Sequence, residues 1–242
     1  MPTGFVLSAV LDRERVPSFD RYPFSIPAIR PLSKLELDPQ VTLLTGENGS
    51  GKSTLVEAIA VAAGFNAEGG SRNFRFSTRE SHSELHEYLR LVRGARRERT
   101  GFFLRAESFF NVASQVDSLD DDLVAAYGGL SLHEQSHGES FLALIVNRFG
   151  PNGLYLLDEP EAALSVRGTL ALIRRVHELV REGSQFLIAT HSPILLGIPG
   201  ARIYALGEEG FEPVDYEETE QVELTRSFLE DRERFLRHLL AD

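Results

Sequence analysis

The spacing of apolar positions along the chain predicts alternating strands and helices. Apolar runs of four or five residues predict buried strands at 41–45, 101–105, 154–157 and 186–190, and a shorter strand at 74–76. Apolar residues three and four apart predict helices at 55–63, 84–92, 120–126, 140–149, 166–181 and 217–240. From 154 onward the order strand, helix, strand is typical of a mostly parallel sheet covered by helices, so we expect an α/β fold.

The pattern also predicts how these elements pack. Residues 1–45 contain Pro17, Pro23, Pro27, Pro31 and Pro39 between short apolar stretches, which favours brief strands and turns over a helix. We expect one domain over 1–242, with a core formed by 1–75 and 150–242 and a helical lobe at about 76–149. Three sets of side chains are expected to be buried or to share one face: Leu85, Tyr88, Leu89 and Val92 on the first lobe helix; Phe141, Leu142, Leu144, Ile145 and Val146 on 140–149; and Val222, Phe228, Leu229, Phe235, Leu236 and Leu239 on the last segment, which would pack back on the domain.

Composition narrows the class of protein. The chain has 242 residues, 42% of them hydrophobic, which suits one substantial core. The absence of cysteine excludes disulfides, zinc-thiolate sites and cysteine nucleophiles, and is compatible with a cytoplasmic location. Neither a signal peptide at 1–10 nor an apolar run of about eighteen residues is visible, so we expect no membrane insertion.

Charge is segregated along the chain. The net charge is −11, yet residues 72–105 hold nine arginines against four glutamates, which leaves +5 there and −16 elsewhere. Such a stretch could bind an acidic partner or a nucleic-acid backbone. We favour the ordinary interpretation, a solvated surface with Glu/Arg pairs.

The first residues that predict a chemical function lie in the loop after the first core strand. Residues 46–54 match the phosphate-binding pattern Gly, four residues, Gly-Lys-Ser/Thr, and they lie between a predicted strand and a predicted helix, as a P-loop requires. The glycines let backbone N–H groups and a helix N-terminus converge on an anion. Lys52 would reach the β- and γ-phosphates and Ser53 would offer its hydroxyl to Mg²⁺. The predicted nucleotide-binding residues are Gly46, Glu47, Asn48, Gly49, Ser50, Gly51, Lys52, Ser53 and Thr54.

Two later strands end in polar residues. The strand at 154–157 runs into Asp158 and Glu159, and the strand at 186–190 runs into His191. In an open parallel sheet the carboxyl ends of the strands meet the ligand. Asp158 is therefore predicted to hold Mg²⁺, Glu159 to orient and deprotonate a water molecule, and His191 to sense the γ-phosphate.

A third segment, Ser136-His137-Gly138-Glu139-Ser140, directly precedes a predicted helix, and we call it the signature segment. Small residues at a helix N-terminus can bind an anion, and a second such site in one chain suggests contact with the nucleotide of another protomer. The same residues also form a capping box, with Ser136 as N-cap and Glu139 as its partner. The residues alone favour neither of the two interpretations.

The ordered set of P-loop, signature segment, Leu-Leu-Asp-Glu-Pro at 156–160 and His191 resembles the ABC-type ATPases, and most closely their small soluble stand-alone members, often labelled predicted AAA-family ATPases. The resemblance extends over nearly the whole chain. It implies that Ser136, Gly138 and Glu139 contact ATP held by the opposite subunit of a head-to-tail homodimer, which ATP binding closes and hydrolysis opens.

The chain departs from the family pattern at several positions. The transporter signature reads Leu-Ser-Gly-Gly-Gln, whereas this chain has His137 in place of one glycine and Glu139 in place of another. Ser165 stands where the family usually has an aspartate. The glutamine expected after the strand at 101–105 is missing, with Glu107 or Ser108 as substitutes. Tyr22 or Phe24 could stack on adenine, although core packing is the simpler use of an aromatic residue.

Four functions follow, and the first is favoured: Mg²⁺-dependent ATP hydrolysis by Lys52, Glu159 and His191, with Ser53 and Asp158 at the metal. The alternatives are a nucleic-acid maintenance ATPase acting on DNA, a transporter's nucleotide-binding subunit, and a nucleotide switch with negligible turnover. Only 83 residues separate Lys52 from Ser136, which leaves no room for a long coiled coil. The altered signature segment argues against a transporter.

Overall fold

The computed structural model describes residues 4–72, 83–107, 109 and 137–241. The strands within these ranges are β1 Val6–Leu11, β2 Lys34–Glu36, β3 Val41–Gly46, β4 Leu89–Arg93, β5 Thr100–Arg105, β6 Gly153–Asp158, β7 Gln185–Ala189, β8 Arg202–Gly207 and β9 Gly210–Val214. The helices are α1 Lys52–Ala62, α2 His137–Arg148, α3 Val166–Arg181, α4 Pro193–Leu196, α5 Glu220–Glu230 and α6 Arg232–Leu239. Short 3₁₀ helices span Glu84–Tyr88, Pro160–Ala163 and Tyr216–Glu218.

The centre of the fold is a mostly parallel sheet. Among the described residues, six strands form it in the order β5-β6-β7-β3-β8-β9. All neighbouring pairs are parallel except β8 and β9, which form an antiparallel edge hairpin. The predicted α/β class is therefore confirmed. This strand order places the carboxyl ends of β6, β7 and β3 side by side, where ligands of such sheets bind.

Apolar residues cover both faces of this sheet. On β3, Leu44 packs into one core with β1 and α1, whereas its neighbour Leu43 packs into a second core with α2 and α3. Successive side chains of a strand point to opposite faces, which explains why the central strands read as continuous apolar runs. The two cores hold β3, and with it the loop that follows, on both sides.

A smaller antiparallel sheet, in the order β2-β1-β4 within the described residues, lies across α1 from the central sheet. The fully buried side chain of Gln185 joins the two sheets. Its Oε1 accepts hydrogen bonds from the backbone N–H groups of Phe5 (2.8 Å) and Val6 (3.0 Å). Its Nε2 donates to the carbonyl oxygens of Val6 (2.7 Å) and Asp38 (2.8 Å). One amide thus forms hydrogen bonds with four backbone groups, three of them in buried contacts.

The helix predicted over 84–92 is wrong for its second half. Residues 84–88 form one 3₁₀ turn, capped by the Ser83 hydroxyl, and 89–93 form β4. Strand β4 pairs antiparallel with β1, with Leu91 opposite Ala9 and Leu89 opposite Leu11. The helical spacing of apolar residues was outweighed by these backbone hydrogen bonds to a segment about eighty residues earlier.

Two packing predictions also need correction. The helix predicted at 140–149 begins at His137, and its Val146 is exposed rather than buried. The C-terminal segment forms two helices, of which Val222 is the buried apolar anchor, while Leu229 and Leu239 are 74% and 65% exposed. Phe228 and Phe235 pack edge-to-face at a centroid distance of 5.6 Å, so these two rings form a contact between α5 and α6.

The division into core and lobe stays a prediction, with two corrections. Strands β4, at 89–93, and β5, at 100–105, lie in the range assigned to the helical lobe, yet β4 pairs with β1 and β5 forms an edge of the central sheet. The strand predicted at 74–76 and the helix predicted at 120–126 lie outside the described residues.

Candidate active site

The loop between β3 and α1 has the backbone geometry of an anion cradle. Gly46, Gly49 and Gly51 have φ of 144°, 81° and 100°, which L side chains rarely adopt. A Cβ on Gly46 would lie 2.5 Å from the Leu206 carbonyl oxygen, and one on Gly51 would lie 2.7 Å from Ile26. Gly46 and Gly51 are thus required by both conformation and space, whereas Gly49 is required by conformation alone. The loop runs directly into the N-terminus of α1, as the sequence predicts.

Lys52 is the first residue of α1 and is 3% exposed. Its Nζ donates to the carbonyl oxygens of Gly46 (3.0 Å) and Glu47 (2.9 Å), so the side chain folds back over the loop. Burial lowers the pKa of Lys52, while the nearby carboxylates of Glu159, Asp158 and Glu161 favour its charged form. The ammonium group is therefore placed where it could neutralise a phosphate held by the loop.

Asp158, the last residue of β6, is buried beside Ser53. Its pKa is raised to about 6, chiefly by burial, against the charge of Arg105 and a hydrogen bond from the Ser53 hydroxyl. Its Oδ1 is buried and has no hydrogen-bond partner among the described residues. A buried carboxylate oxygen of this kind fits a hard cation.

These two residues fit Mg²⁺ in the way nucleotide sites bind it. Within the described part of the chain no cluster of three or more acidic or histidine side chains could hold a metal. Mg²⁺ in phosphate sites is held by one or two protein oxygens together with substrate phosphates and water, so Ser53 and Asp158 suffice.

Glu159 and His191 meet at the ends of β6 and β7. The His191 Nε2 lies 3.2 Å from the Glu159 Oε1, but at an angle that does not make a hydrogen bond. Glu159 has φ 49° and ψ 51°, a left-handed conformation that glycine and asparagine prefer, and its N–H donates to the Ala189 carbonyl oxygen (3.0 Å). The turn therefore aims the carboxylate toward the end of β7, where His191 follows.

Arg105 is a residue of this site that the motifs missed. It is opposite Asp158 in the pairing of β5 with β6, and its Nε lies 3.4 Å from the Asp158 Oδ2. Its Nη1 donates to the buried Glu57 of α1 (2.6 Å). A charged residue ending a strand beside the Asp158 strand was the available signal. Glu107, proposed as a substitute for the missing glutamine, is exposed and 3.9 Å from Arg105, and Ser108 lies outside the described residues.

The signature segment is described in part. Ser136 lies outside the described residues, and Gly138 and Glu139 are in the first turn of α2. A Cβ on Gly138 would lie 3.2 Å from the Ala163 carbonyl oxygen, so α2 begins against the turn that follows Glu159. Ser165, at the position of the family aspartate, caps α3 by accepting from the Gly168 N–H (3.2 Å).

The two aromatic residues considered for adenine differ in exposure. Phe24 is fully buried and packs edge-to-face on Tyr88, whereas Tyr22 is 62% exposed. Beside the loop lies an open cavity of about 580 Å³, and its lining includes Ala28, Asn48 and Gln221. Phe24 is thus a core residue, as the simpler interpretation of its aromatic ring predicts.

The arginine-rich stretch is partly engaged in ion pairs. Arg72 and Arg93 both pair with Glu98, and Arg105 pairs with Glu57. Arg97 and Arg99 are exposed in the turn between β4 and β5. The described part of the stretch therefore resembles a solvated surface with Glu/Arg pairs.

The sheet order and the glycine loop before α1 give the chain a P-loop fold, and this fold is similar to that of an ABC transporter structure. The family model "AAA domain" matches residues 25–112, little more than a third of the chain. Among solved structures, "an inward-facing conformation of a putative metal-chelate type ABC transporter" is 16% identical with a TM-score of 0.51, and the match covers 93% of this chain and 89% of that one. The predicted resemblance to ABC-type and AAA-family ATPases is confirmed at this level.

Two further solved structures are similar to this chain, but their TM-scores lie below 0.5 and support no conclusion about it. The SMC head domain from Thermotoga maritima is 15% identical with a TM-score of 0.47, covering 87% of this chain and 99% of that one. A nucleotide-free ATP-binding cassette from an ABC transporter is 18% identical with a TM-score of 0.43, covering 88% and 93%. No curated protein sequence matches the chain. Among the described residues, no helix combines the length and apolar character that crossing a bilayer requires.

Proposed function

We propose that this protein binds ATP and hydrolyses it with Mg²⁺, and that ATP binding closes a head-to-tail dimer of two chains. The observation that carries the proposal is the meeting of Glu159 and His191, 3.2 Å apart, beside the buried Asp158 and at the carboxyl edge where the P-loop lies. A phosphate cradle alone indicates binding. A carboxylate and an imidazole at the neighbouring strand ends favour hydrolysis.

Each residue then has a task that follows from its position. Lys52 and the N–H groups of the loop hold the phosphates, and Ser53 with Asp158 would hold the metal. Mg²⁺, when bound, neutralises charge on the phosphate oxygens. Glu159 accepts the proton of the water whose oxygen bonds to the γ-phosphorus as the bond to the leaving oxygen breaks. His191 donates to the γ-phosphate and steadies its charge.

The experiment is steady-state phosphate release by the parent and by Glu159→Gln, which keeps the shape of the side chain and removes the base. We expect kcat to fall by about 10²- to 10⁴-fold, the range of general-base catalysis. Glu178→Gln, on the exposed side of α3, serves as the matched control and should hydrolyse ATP like the parent. Equal rates for Glu159→Gln and the parent would contradict the proposal. If the parent protein binds ATP tightly but releases no phosphate, the protein is a nucleotide switch instead.

The other functions have less support. Action on DNA rests on the exposed arginines of the turn between β4 and β5, because several others of the stretch are paired with glutamates. A role as a transporter subunit rests on a structural likeness at 16% identity, which concerns the fold. Both alternatives share the same nucleotide site, so neither changes the tasks proposed for its residues.

A further inference from the structure

Glu161 is a carboxylate next to the site that neither the motif nor the proposed chemistry uses. It lies in the 3₁₀ helix Pro160–Ala163, two residues after Glu159. Its Oε1 accepts three hydrogen bonds from consecutive residues: the Thr190 hydroxyl (2.7 Å), the His191 N–H (2.6 Å) and the Ser192 N–H (3.0 Å). One oxygen therefore holds the whole turn that presents His191.

This turn is also fixed to the neighbouring strands. The fully buried Thr190 donates its N–H to the Leu44 carbonyl oxygen of β3 (3.0 Å), and its hydroxyl accepts from the Ser192 N–H (3.0 Å). The Glu159 N–H donates to Ala189, the last residue of β7. The turn after β6 and the turn after β7 thus form one hydrogen-bonded unit, with Glu161 as its side-chain link.

The carboxylate of Glu161 is well suited to fixing the position of the backbone that carries His191. Hydrogen bonds to an ionised carboxylate are shorter and stronger than those between neutral groups, and three on one oxygen restrict the backbone of residues 190–192 closely. The direction of the His191 side chain depends on that backbone. Its distance from the Glu159 carboxylate, 3.2 Å, depends on it as well.

We propose that Glu161 is a positioning residue that acts through His191, holding the imidazole opposite the Glu159 carboxylate. The inference rests on the proposed ATP hydrolysis and adds to it a residue that the phosphate-binding and acidic motifs do not include. The competing interpretation is that Glu161 only stabilises the fold.

A double-mutant cycle separates the two interpretations. Glu161→Ala should lower kcat on the order of 10- to 100-fold, as a displaced catalytic group does, with the KM for ATP nearly unchanged because the P-loop is intact. In a His191→Ala background the same change should have no further effect on kcat. Glu161→Gln, which keeps an acceptor oxygen, should recover most of the activity. An equal loss of kcat in both backgrounds would overturn the proposal.

A second readout does not depend on hydrolysis. The imidazole resonances of His191, assigned from the His191→Ala spectrum, are recorded by NMR without nucleotide. They should shift in Glu161→Ala while those of His238, on the helix α6, stay in place. Glu84→Ala, which breaks an exposed ion pair with Arg21, should leave the His191 resonances unchanged. Unchanged His191 signals in Glu161→Ala would refute the positioning role even if the parent hydrolyses ATP.

The same readout keeps the two proposals apart. If the parent releases no phosphate, the proposed hydrolysis fails, yet a His191 shift in Glu161→Ala still supports the link. If the alanine variant does not fold, Glu161→Asp takes its place. Aspartate keeps the charge, but its side chain is one methylene shorter, which moves the carboxylate oxygen away from residues 190–192. A Glu161→Asp protein with the parent's kcat and His191 resonances would contradict the proposal.

Discussion

At the scale of single residues, Asp158 shows most directly how burial shapes this site. The carboxyl is 5% exposed, and its pKa is raised to about 6, mainly because burial disfavours its charge. In the unfolded chain an aspartate titrates near pKa ~3.9. Between these two values the folded protein binds the proton more tightly, so the stability that this group contributes is present below about pH 4 and is lost as pH rises through about 6.

We therefore expect Asp158→Asn to become more stable relative to the parent as pH rises from about 4 to 6, by roughly 2 kcal/mol, with a constant difference above pH 7. The measurement is denaturant unfolding of both proteins over this pH range, in the presence of a chelator and without nucleotide. Parallel stability curves for the two proteins would show that Asp158 does not carry a raised pKa. Adding Mg²⁺ and ATP should stabilise the parent more than Asp158→Asn, because the metal needs the carboxylate.

The residues of the site show what the sequence can and cannot reveal. The spacing in 46–54 and the polar ends of apolar strands predict where Lys52, Asp158 and His191 lie. Arg105 also ends an apolar strand, but neither its role nor that of Glu161 could be assigned in this way, because these roles depend on which strand lies beside β6 and which backbone lies next to the turn. Those neighbours are set by strand order, which local patterns do not contain.

At the scale of elements, the fold depends on contacts between sheets that are far apart in sequence. The strands of the central sheet, α1 and α3 follow from their apolar periodicity. Strand β4 does not, because its pairing with β1 overrides a helical pattern. The link through Gln185 also cannot be found from sequence patterns, since a glutamine in an apolar run gives no sign that its amide satisfies four backbone groups of Phe5, Val6 and Asp38.

This link predicts a large loss of stability when Gln185 is altered. Gln185→Ala removes the hydrogen bonds to the buried backbone groups of Phe5 and Val6 and to the partly buried Asp38 carbonyl oxygen, and we expect the free energy of unfolding to fall by about 2–5 kcal/mol. Gln185→Glu should be no better, because its second oxygen would face carbonyl oxygens. Chemical denaturation measures both, and Gln40→Ala, at an exposed position nearby, should stay within about 0.5 kcal/mol of the parent. A Gln185→Ala protein as stable as the Gln40→Ala control would contradict the assignment.

At the scale of the whole molecule, the proposed function requires two chains. In one chain the P-loop, Asp158, Glu159 and His191 come together at the carboxyl edge of the sheet, whereas α2 begins against the turn at Ala163. The resemblance to ABC-type ATPases assigns the signature segment to the ATP of a second chain. That assignment remains a proposal, and the alternative is the capping box that starts α2.

The proposal predicts that Glu159→Gln with ATP and Mg²⁺ has twice the mass of the monomer, because a nucleotide that is not hydrolysed keeps the dimer closed. Size-exclusion chromatography with light scattering gives the mass directly. Adding Ser136→Arg to Glu159→Gln should return the protein to a monomer, since the bulky side chain blocks the proposed contact, while nucleotide binding to the P-loop persists. A protein that stays monomeric at saturating ATP would reduce the signature segment to a helix cap.

The left-handed backbone at Glu159 has a consequence for any attempt to improve this protein. Glycine or asparagine fits φ 49° with less strain, so a screen that rewards heat resistance alone would favour them at this position. Either replacement would remove the carboxylate that faces His191. Thermostability and turnover therefore make opposite demands on position 159, and variants selected for one should be assayed separately for the other.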